Sequence, residues 1–194
     1  MPADLVSKKE IPELAGKIDS PAMLRVLRRL EQAGFLMNSL ELDEETKGVL
    51  RRLTNLGLAD PGYEEAANGK VGKLFIWVAN GNGKRVLKYF DQIQESKLTV
   101  GLHAQTALRV LEPDIRWAIL ATVQWHLLRD PASWPPQEAQ RFRPNEPLYV
   151  LRIPPDWLAF IRVLEPGHIE LFDIMLEGTL RMFQEGFSER STVR

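Results

Sequence analysis

Apolar residues recur at helical spacing in two similar segments of the N-terminal half. The segments read VLRRLEQAGF at 26–35 and VLRRLTNLGL at 49–58. In both, leucine and valine fall three and four positions apart, as on one side of an α-helix, and a glycine follows. Glycine commonly ends helices because it adopts positive φ without strain. The pattern therefore predicts two amphipathic helices that stop at Gly34 and Gly57.

Capping residues and charges define the start and the exposed side of these two helices. Ser20, followed by Pro21, is the expected N-cap of the first helix, and Asp43 is that of the second. The predicted apolar positions are Met23, Val26, Leu27, Leu30 and Ala33 in the first helix and Thr46, Val49, Leu50, Leu53 and Leu56 in the second. The predicted exposed positions are Arg25, Arg28 and Arg29 in the first helix and Lys47, Arg51, Arg52 and Asn55 in the second.

The segment after the second helix is typical of a β-hairpin that leads into another helix. A polar stretch, EEAANGKVG, precedes KLFIWVA, whose aromatic and β-branched residues indicate a strand. The turn NGNG at 80–83 leads into GKRVLKYFDQIQ, which has apolar residues at helical spacing and Asn82 as its expected cap. We expect a hairpin followed by a long helix.

The C-terminal half predicts an α+β arrangement. A short strand, KLTVGLH, and a helix, HAQTALRVL, precede a longer helix that Pro113 opens and Asp130-Pro131 closes. The proline-rich segment PASWPPQEAQRFRPNEP is expected to be an irregular surface connection. Three strand-like runs follow, PLYVLRI, DWLAFIRVLE and HIELFDIML. This order predicts an antiparallel sheet with helices packed on one face.

Tryptophan is concentrated in the C-terminal half. Because large aromatic side chains dominate core burial, we expect most of these residues to lie in the core. Trp134, which two prolines follow, is the expected exception and the best candidate for solvent exposure. The tryptophans of this half are Trp117, Trp125, Trp134 and Trp157.

Length and composition favour two domains. A chain of 194 residues, 44% of them hydrophobic, suffices for two domains of about 100 residues, which we place at 1–95 and 96–194. No apolar run approaches the roughly 18 to 20 residues of a membrane helix, and the N-terminal sequence lacks the apolar stretch of a secretory signal. We therefore expect a cytoplasmic protein that does not contact a membrane.

Residue types exclude several kinds of chemistry. The absence of cysteine excludes disulfides, thiolate metal sites and cysteine nucleophiles. The three histidines, His103, His126 and His168, occur singly, so we expect no metal site and interpret them as ordinary polar positions. The chain has no nucleotide-binding, zinc-protease or paired-carboxylate motif. We therefore expect no cofactor and no general metabolic enzyme.

The string LRRLTNLGLADPGYE…KLFIWVANGNGKRVLKYF resembles the MarR-type winged-helix pattern. In that pattern a reading helix ends in Leu-x-x-x-Gly-Leu, and a hairpin wing and a long helix follow. The resemblance implies that the second repeat lies in the DNA major groove. The implied nucleic-acid contacts are Lys47, Arg51, Arg52, Asn55, Lys70 and Lys73.

Charge opposes this interpretation in two ways. Glu44 and Glu45 stand at the start of the helix, where they would face a polyanion. The whole chain has 25 basic and 26 acidic residues, a formal net charge of −1, and neither half is basic. Since DNA-binding domains usually cluster Lys and Arg, any such cluster here must be local.

An alternative register places the reading helix one repeat earlier. The connection FLMNSLELD is short for the additional helix of the motif, whereas IPELAGKI at 11–18 could support the first repeat as the reading helix. That pattern is similar to the winged-helix dimerisation domains of small-molecule methyltransferases and of other regulators, which often bind no DNA. Both registers predict a winged helix-turn-helix domain.

The C-terminal half resembles the RelE/ParE toxin superfamily. The resemblance is carried by the helix that ends in Leu127 to Pro131, by the strand LYVLRI and by the two strands after it. Members of that family cleave ribosome-bound mRNA or act on DNA gyrase. The strand that often carries their catalytic arginine reads Trp157-Leu158-Ala159-Phe160-Ile161 here, and the region of their terminal tyrosine reads GTLRMF. The resemblance therefore implies the fold without its catalytic residues, and the basic positions left are Arg152, Arg162 and Arg181.

Together these patterns predict a DNA-binding regulatory protein. A winged helix would be fused to a catalytically inactive RelE-like domain that serves dimerisation or sensing. Two alternatives stay open: a toxin-antitoxin-type translation inhibitor or ribonuclease, and a non-catalytic protein-interaction module. The expected partners are DNA and either another protein or a second copy of the chain.

Overall fold

The computed structural model describes residues 5–34, 36–37, 42–65, 73–142, 145–165 and 167–180. At 36–37, 63–65 and 73–75 it describes the backbone alone. The chain divides into two compact units, Met1–Gln92 and Ile93–Arg194.

The first unit consists of helices and a three-stranded sheet. The helices are α1 (Ile11–Gly16), α2 (Pro21–Ala33), α3 (Glu44–Asn55) and α4 (Gly81–Lys97), and α4 continues into the second unit. The strands are β1 (Leu36–Met37), β2 (Ala59–Glu65) and β3 (Lys73–Ala79). The order in the antiparallel sheet is β1-β3-β2, so β2 and β3 form a hairpin between α3 and α4. The predicted hairpin and the helix after it are confirmed.

The predicted starts and stops of α2 and α3 are also confirmed. The side chain of Ser20 accepts a hydrogen bond from the backbone N–H of Met23, and Asp43 accepts one from Thr46 at 2.6 Å. Gly34 and Gly57 follow the two helices at φ values of 77° and 68°. The repeated sequence therefore encodes two capped helices with glycine stops.

The predicted exposed side of α2 is wrong at Arg28. Arg28 is buried at 8% exposure, and its guanidinium forms an ion pair with Asp91 of α4. Leu24 is fully buried, whereas Ala33, predicted to be buried, is exposed. The buried side of α2 is therefore rotated from the predicted one. Helical spacing could not reveal this, because the partner of Arg28 lies 63 residues away.

The predicted cap of α4 is also wrong. Asn80, not Asn82, caps the helix, since its Oδ1 accepts hydrogen bonds from the N–H groups of Asn82 and Gly83 at 3.0 Å each. Asn82 is buried and accepts a hydrogen bond from the N–H of Val6 at 3.0 Å. The helix begins two residues earlier than the sequence predicted, at Gly81 instead of Gly83, so the capping role moves with it.

The second unit has the predicted α+β composition but a mixed sheet. Two helices, α5 (Leu102–Val110) and α6 (Pro113–Leu127), accompany strands β4 (Leu98–Val100), β5 (Ala139–Arg141), β6 (Leu148–Ile153), β7 (Trp157–Glu165) and β8 (His168–Leu176). The sheet order is β4-β8-β7-β6-β5. The predicted purely antiparallel sheet is wrong, because β4 pairs with β8 in parallel. Strand direction at a sheet edge depends on how the intervening chain returns, which hydrophobic periodicity does not encode.

The two faces of this sheet differ in what covers them. On the inner face Leu151, Ile153 and Ala159 are buried, and α6 packs against β6 and β8. The alternate positions, which include Val150, Arg152 and Leu158, form the outer face. A helical turn at 177–180 follows β8.

The proline-rich connection is more ordered than predicted. It contains a 3₁₀ turn, Pro131–Ser133, and the edge strand β5. Trp134, predicted to be exposed, is 6% exposed, and its Nε1–H donates a hydrogen bond to the carbonyl oxygen of His126 at 3.2 Å. Its indole packs edge-on against Tyr149 of β6, with 5.0 Å between ring centroids. The connection therefore contributes to the core.

Candidate functional site

The exposed face of α3 carries three of the predicted contact residues. Val49, Leu50 and Leu53 on the opposite side are buried, which fixes the rotation of the helix. Lys47, Arg51 and Asn55 follow one another at intervals of four residues, so they form a single row about 6 Å apart along the helix. The structure therefore brings these three together.

A crevice runs beside this row, between α3 and the β2–β3 hairpin. Its volume is about 500 Å³. Pro61 of β2 and Trp77 of β3, which pair directly in the antiparallel ladder, form its hairpin side. The residues that line this α3 crevice are Glu44, Lys47, Arg51, Thr54, Asn55, Pro61 and Trp77.

The charges in the α3 crevice are unequally neutralised. The Nζ atom of Lys47 lies 2.8 Å from Oε1 of Glu44, within hydrogen-bond distance. That hydrogen bond and the charge of Lys47 lower the pKa of Glu44, and the charge of Arg51 lowers it further. Arg51 itself is exposed and has no hydrogen-bond or ion-pair partner among the described residues. With two cations and one anion, the crevice has a net positive charge that is centred on Arg51.

Arg52 does not belong to this row, contrary to the predicted set. Adjacent residues on an α-helix point about 100° apart. The Nη1 atom of Arg52 donates hydrogen bonds to both carboxylate oxygens of Asp19, each at 3.2 Å. Arg52 is exposed as predicted but lies beside the row, where it pairs with Asp19 of the α1–α2 connection, and its contact with nucleic acid stays a prediction.

Acidic residues surround the start of α3. The carboxylate of Asp43 accepts a hydrogen bond from the N–H of Thr46, which lowers the pKa of Asp43. Glu44 and Glu45 occupy the first turn, where negative side chains favour the helix N-terminus. A polyanion would therefore meet repulsion at this end and attraction further along, at Arg51.

The predicted contacts from the hairpin are only partly described. Lys73 is the first residue of β3, and its backbone pairs with that of Glu65 in β2. Lys70 lies outside the described residues.

Two of the residual basic positions of the second unit, Arg152 and Arg162, lie on the outer face of its sheet. Nη1 of Arg162 donates to Oε2 of Glu170 at 3.2 Å, and its guanidinium carbon lies 4.9 Å from the ring centroid of Phe172. Nη1 of Arg152 lies 4.0 Å from Oε1 of Glu177. The register places Arg162 opposite Leu148, four residues along β6 from Arg152, so the two guanidiniums do not form one cluster. Arg181 lies outside the described residues.

The sequence did not identify Trp77 as part of the α3 crevice. Trp77 is 7% exposed and pairs with Leu36 of β1 as well as with Pro61. The alternation in KLFIWVA was a signal that Trp77 faces one side of a strand, but the neighbour of that side depends on the hairpin register.

Comparison with protein-family models, with curated proteins and with solved structures finds no match to this chain. In the described part of the chain, no three or more His, Cys, Asp or Glu side chains are grouped so that they could hold a metal ion. Every described helix is too short or too polar to cross a lipid bilayer.

Proposed function

We propose that this protein is a DNA-binding regulator that contacts duplex DNA through α3 and the β2–β3 hairpin. The first unit would act as a winged helix, with α3 in the major groove and the hairpin as its wing. The second unit would be a catalytically inactive RelE-like domain that serves dimerisation or sensing.

The order of elements supports α3 as the reading helix. The helix is followed by a hairpin and then by the long helix α4, which is the order in the MarR-type pattern that the sequence resembles. In the alternative register α2 would read DNA, yet Leu24, Leu27 and Arg28 of that helix are all buried. On α3, Arg51 and Asn55 are exposed, so α3 is the better candidate.

The observation that carries the proposal is the exposed guanidinium of Arg51 beside Asn55. Arginine can form two hydrogen bonds to guanine, and asparagine can form two to adenine, in the major groove. One helical turn separates the two residues, so both could reach base edges of neighbouring pairs from one docked helix. Lys47, already neutralised by Glu44, is better suited to a backbone contact.

The second unit supports a role without phosphoryl-transfer chemistry. Arg152 and Arg162 each lie beside a glutamate that reduces the local positive charge. Leu158 lies opposite Arg152 on β7, where an arginine would be expected in an active relative. A nuclease also needs an acid or base that is available to the reacting groups, whereas the two glutamates here are paired with the arginines themselves.

Selection from a library of random duplexes, followed by fluorescence anisotropy on the enriched sequence, tests the proposal. We expect enrichment of a defined motif and an affinity that falls steeply between about 50 and 200 mM salt, as ions are released from phosphates. The contradicting result is no retention of any duplex at about 50 mM salt by protein that is shown to be folded by circular dichroism.

A further inference from the structure

A second, separate cleft opens on the outer face of the sheet in the second unit. Its volume is about 260 Å³, and it lies over β5, β6 and β7 beside the helical turn at 177–180. We call it the sheet cleft. The residues that line it are Gln140, Arg141, Phe142, Val150, Arg152, Leu158, Glu177 and Leu180.

The floor of the sheet cleft is apolar. Val150 of β6 and Leu158 of β7 project from the same face of the sheet. Leu180 belongs to the helical turn at 177–180, which borders the cleft. Leu158 is 4% exposed, so the floor is anchored in the packed sheet. Phe142 stacks edge-on against Phe160, with 5.8 Å between ring centroids, and closes one end. Such a floor accepts a hydrocarbon or aromatic group.

The rim of the sheet cleft is polar. Its charged side chains on the outer face are Arg152 and Glu177. Arg141 borders the cleft, but it pairs with Tyr149, and its guanidinium carbon lies 5.7 Å from the Tyr149 ring centroid on the other face of the sheet. Gln140, which pairs with Val150 in the ladder, adds an amide at the same rim.

Arg152 is the guanidinium best placed to bind an anion in the sheet cleft. Its Nη1 lies 4.0 Å from Glu177, beyond hydrogen-bond distance, and its side chain is 58% exposed. Arg162 on the same face differs, because it makes a 3.2 Å hydrogen bond to Glu170. A ligand carboxylate could therefore form hydrogen bonds with Arg152 that Glu177 does not make.

We propose that the sheet cleft binds a small monocarboxylic acid with an aliphatic or aromatic body. The carboxylate would lie against Arg152, and the body would lie on Val150, Leu158 and Leu180. The hydrogen-bonding capacity that Glu177 leaves on Arg152 suits a carboxylate, and the apolar floor disfavours inorganic phosphate. This inference stands apart from DNA binding, because every residue in it belongs to the second unit.

The test uses the full-length protein and 3-phenylpropionate as the probe, with binding measured by isothermal titration calorimetry. We expect a dissociation constant on the order of 1 mM, as suits a ligand of this size. The neutral analogue 3-phenylpropanamide and inorganic phosphate should each bind about tenfold more weakly or not at all.

Three variants assign the interaction to the sheet cleft. Arg152→Gln should weaken 3-phenylpropionate binding by about tenfold, because it removes a charge-assisted hydrogen bond. Glu177→Gln should tighten it by about threefold, because it removes a competing negative charge. Arg162→Gln, a loss of the same charge on the same face outside the cleft, should leave it unchanged.

Three results would overturn the inference. They are no binding of 3-phenylpropionate at about 10 mM, equal binding of the acid and its amide, and equal weakening by Arg152→Gln and Arg162→Gln. Thermal unfolding of each variant shows whether it is folded. If Arg152→Gln does not fold, Glu177→Gln still decides between the outcomes. Tighter binding of the acid with unchanged binding of the amide supports the inference, and an equal change for both overturns it.

Discussion

The Nε2 atom of His126 and the Oε2 atom of Glu138 lie 4.0 Å apart, and neither has a hydrogen-bond partner among the described residues. The histidine ring is fully buried between Trp125 and Trp134, with centroid distances of 4.8 and 5.1 Å. Its Nδ1 donates to the carbonyl oxygen of Thr122 at 2.8 Å in the tautomer that satisfies this contact. No sequence pattern indicated this pair, since Glu138 belongs to the proline-rich connection.

Burial of His126 predicts a loss of stability in acid. Burial lowers the pKa of His126 from its ordinary value of 6.5 to about 4, and the charge of Arg129 contributes. The unfolded chain therefore takes up this proton first, so stability falls as the pH drops below about 6.5 and levels off below about 4. The full loss from this group is about 3 kcal/mol.

The pKa of Glu138 is shifted in the opposite direction to that of His126, which reduces the net loss of stability in acid. Burial raises the pKa of Glu138, so the folded state binds its proton more tightly and gains stability as the pH falls. Urea unfolding of the wild type and of His126→Gln at pH values from about 7 to about 4 separates the contribution of His126 from that of Glu138. The variant should lose less stability in acid than the wild type, and parallel pH profiles would contradict the account.

Two glycines should respond to alanine in opposite directions. A Cβ at Gly83 would overlap the carbonyl oxygen of Leu58 and lie 3.0 Å from Cδ1 of Leu27, whereas one at Gly48 of α3 meets nothing within 4 Å. We expect Gly83→Ala to lower the free energy of unfolding by about 2 kcal/mol or more. Gly48→Ala should raise it by about 0.5–1 kcal/mol, because alanine is the better helix former. Urea unfolding measures the free energy of unfolding of both variants. An unchanged value for Gly83→Ala would show that Gly83 does not pack closely against the backbone of Leu58.

The two arginine–aspartate pairs of the first unit should differ in strength. Asp91→Asn would remove the negative charge of an ion pair with the buried Arg28, and we expect a loss of about 2 kcal/mol in unfolding free energy. Asp19→Asn affects a pair in which both side chains are about half exposed, so the loss should be about 0–1 kcal/mol. Chemical unfolding of both variants provides the comparison, and equal losses would contradict the burial of Arg28.

Local patterns predicted the elements that depend on local chemistry. Ser20, Asp43, Gly34 and Gly57 act as the sequence indicated, because caps and glycine stops require neighbours within a few residues. The strands at 148–153, 157–165 and 168–176 likewise follow their apolar runs.

What the sequence did not predict depends on distant partners. Arg28 is buried because Asp91 lies opposite, and the guanidinium of Arg52 pairs with Asp19, which lies 33 residues away in the chain. The burial of Trp134 depends on the carbonyl oxygen of His126 and on the ring of Tyr149. Helical and strand periodicity locate a side chain around its own element, but not the element that it meets.

The most direct test of the central claim compares Arg51→Ala with Arg52→Ala on the same selected duplex. The two variants remove the same charge from adjacent positions, but only Arg51 lines the α3 crevice. We expect Arg51→Ala to cost about 1–3 kcal/mol in binding, while Arg52→Ala keeps the affinity and the salt dependence of the wild type. If Arg51 contacts a phosphate instead of a base, the slope of log K against log salt becomes shallower by about 0.9. Equal losses in the two variants, or no loss in either, would contradict DNA binding through this face of α3.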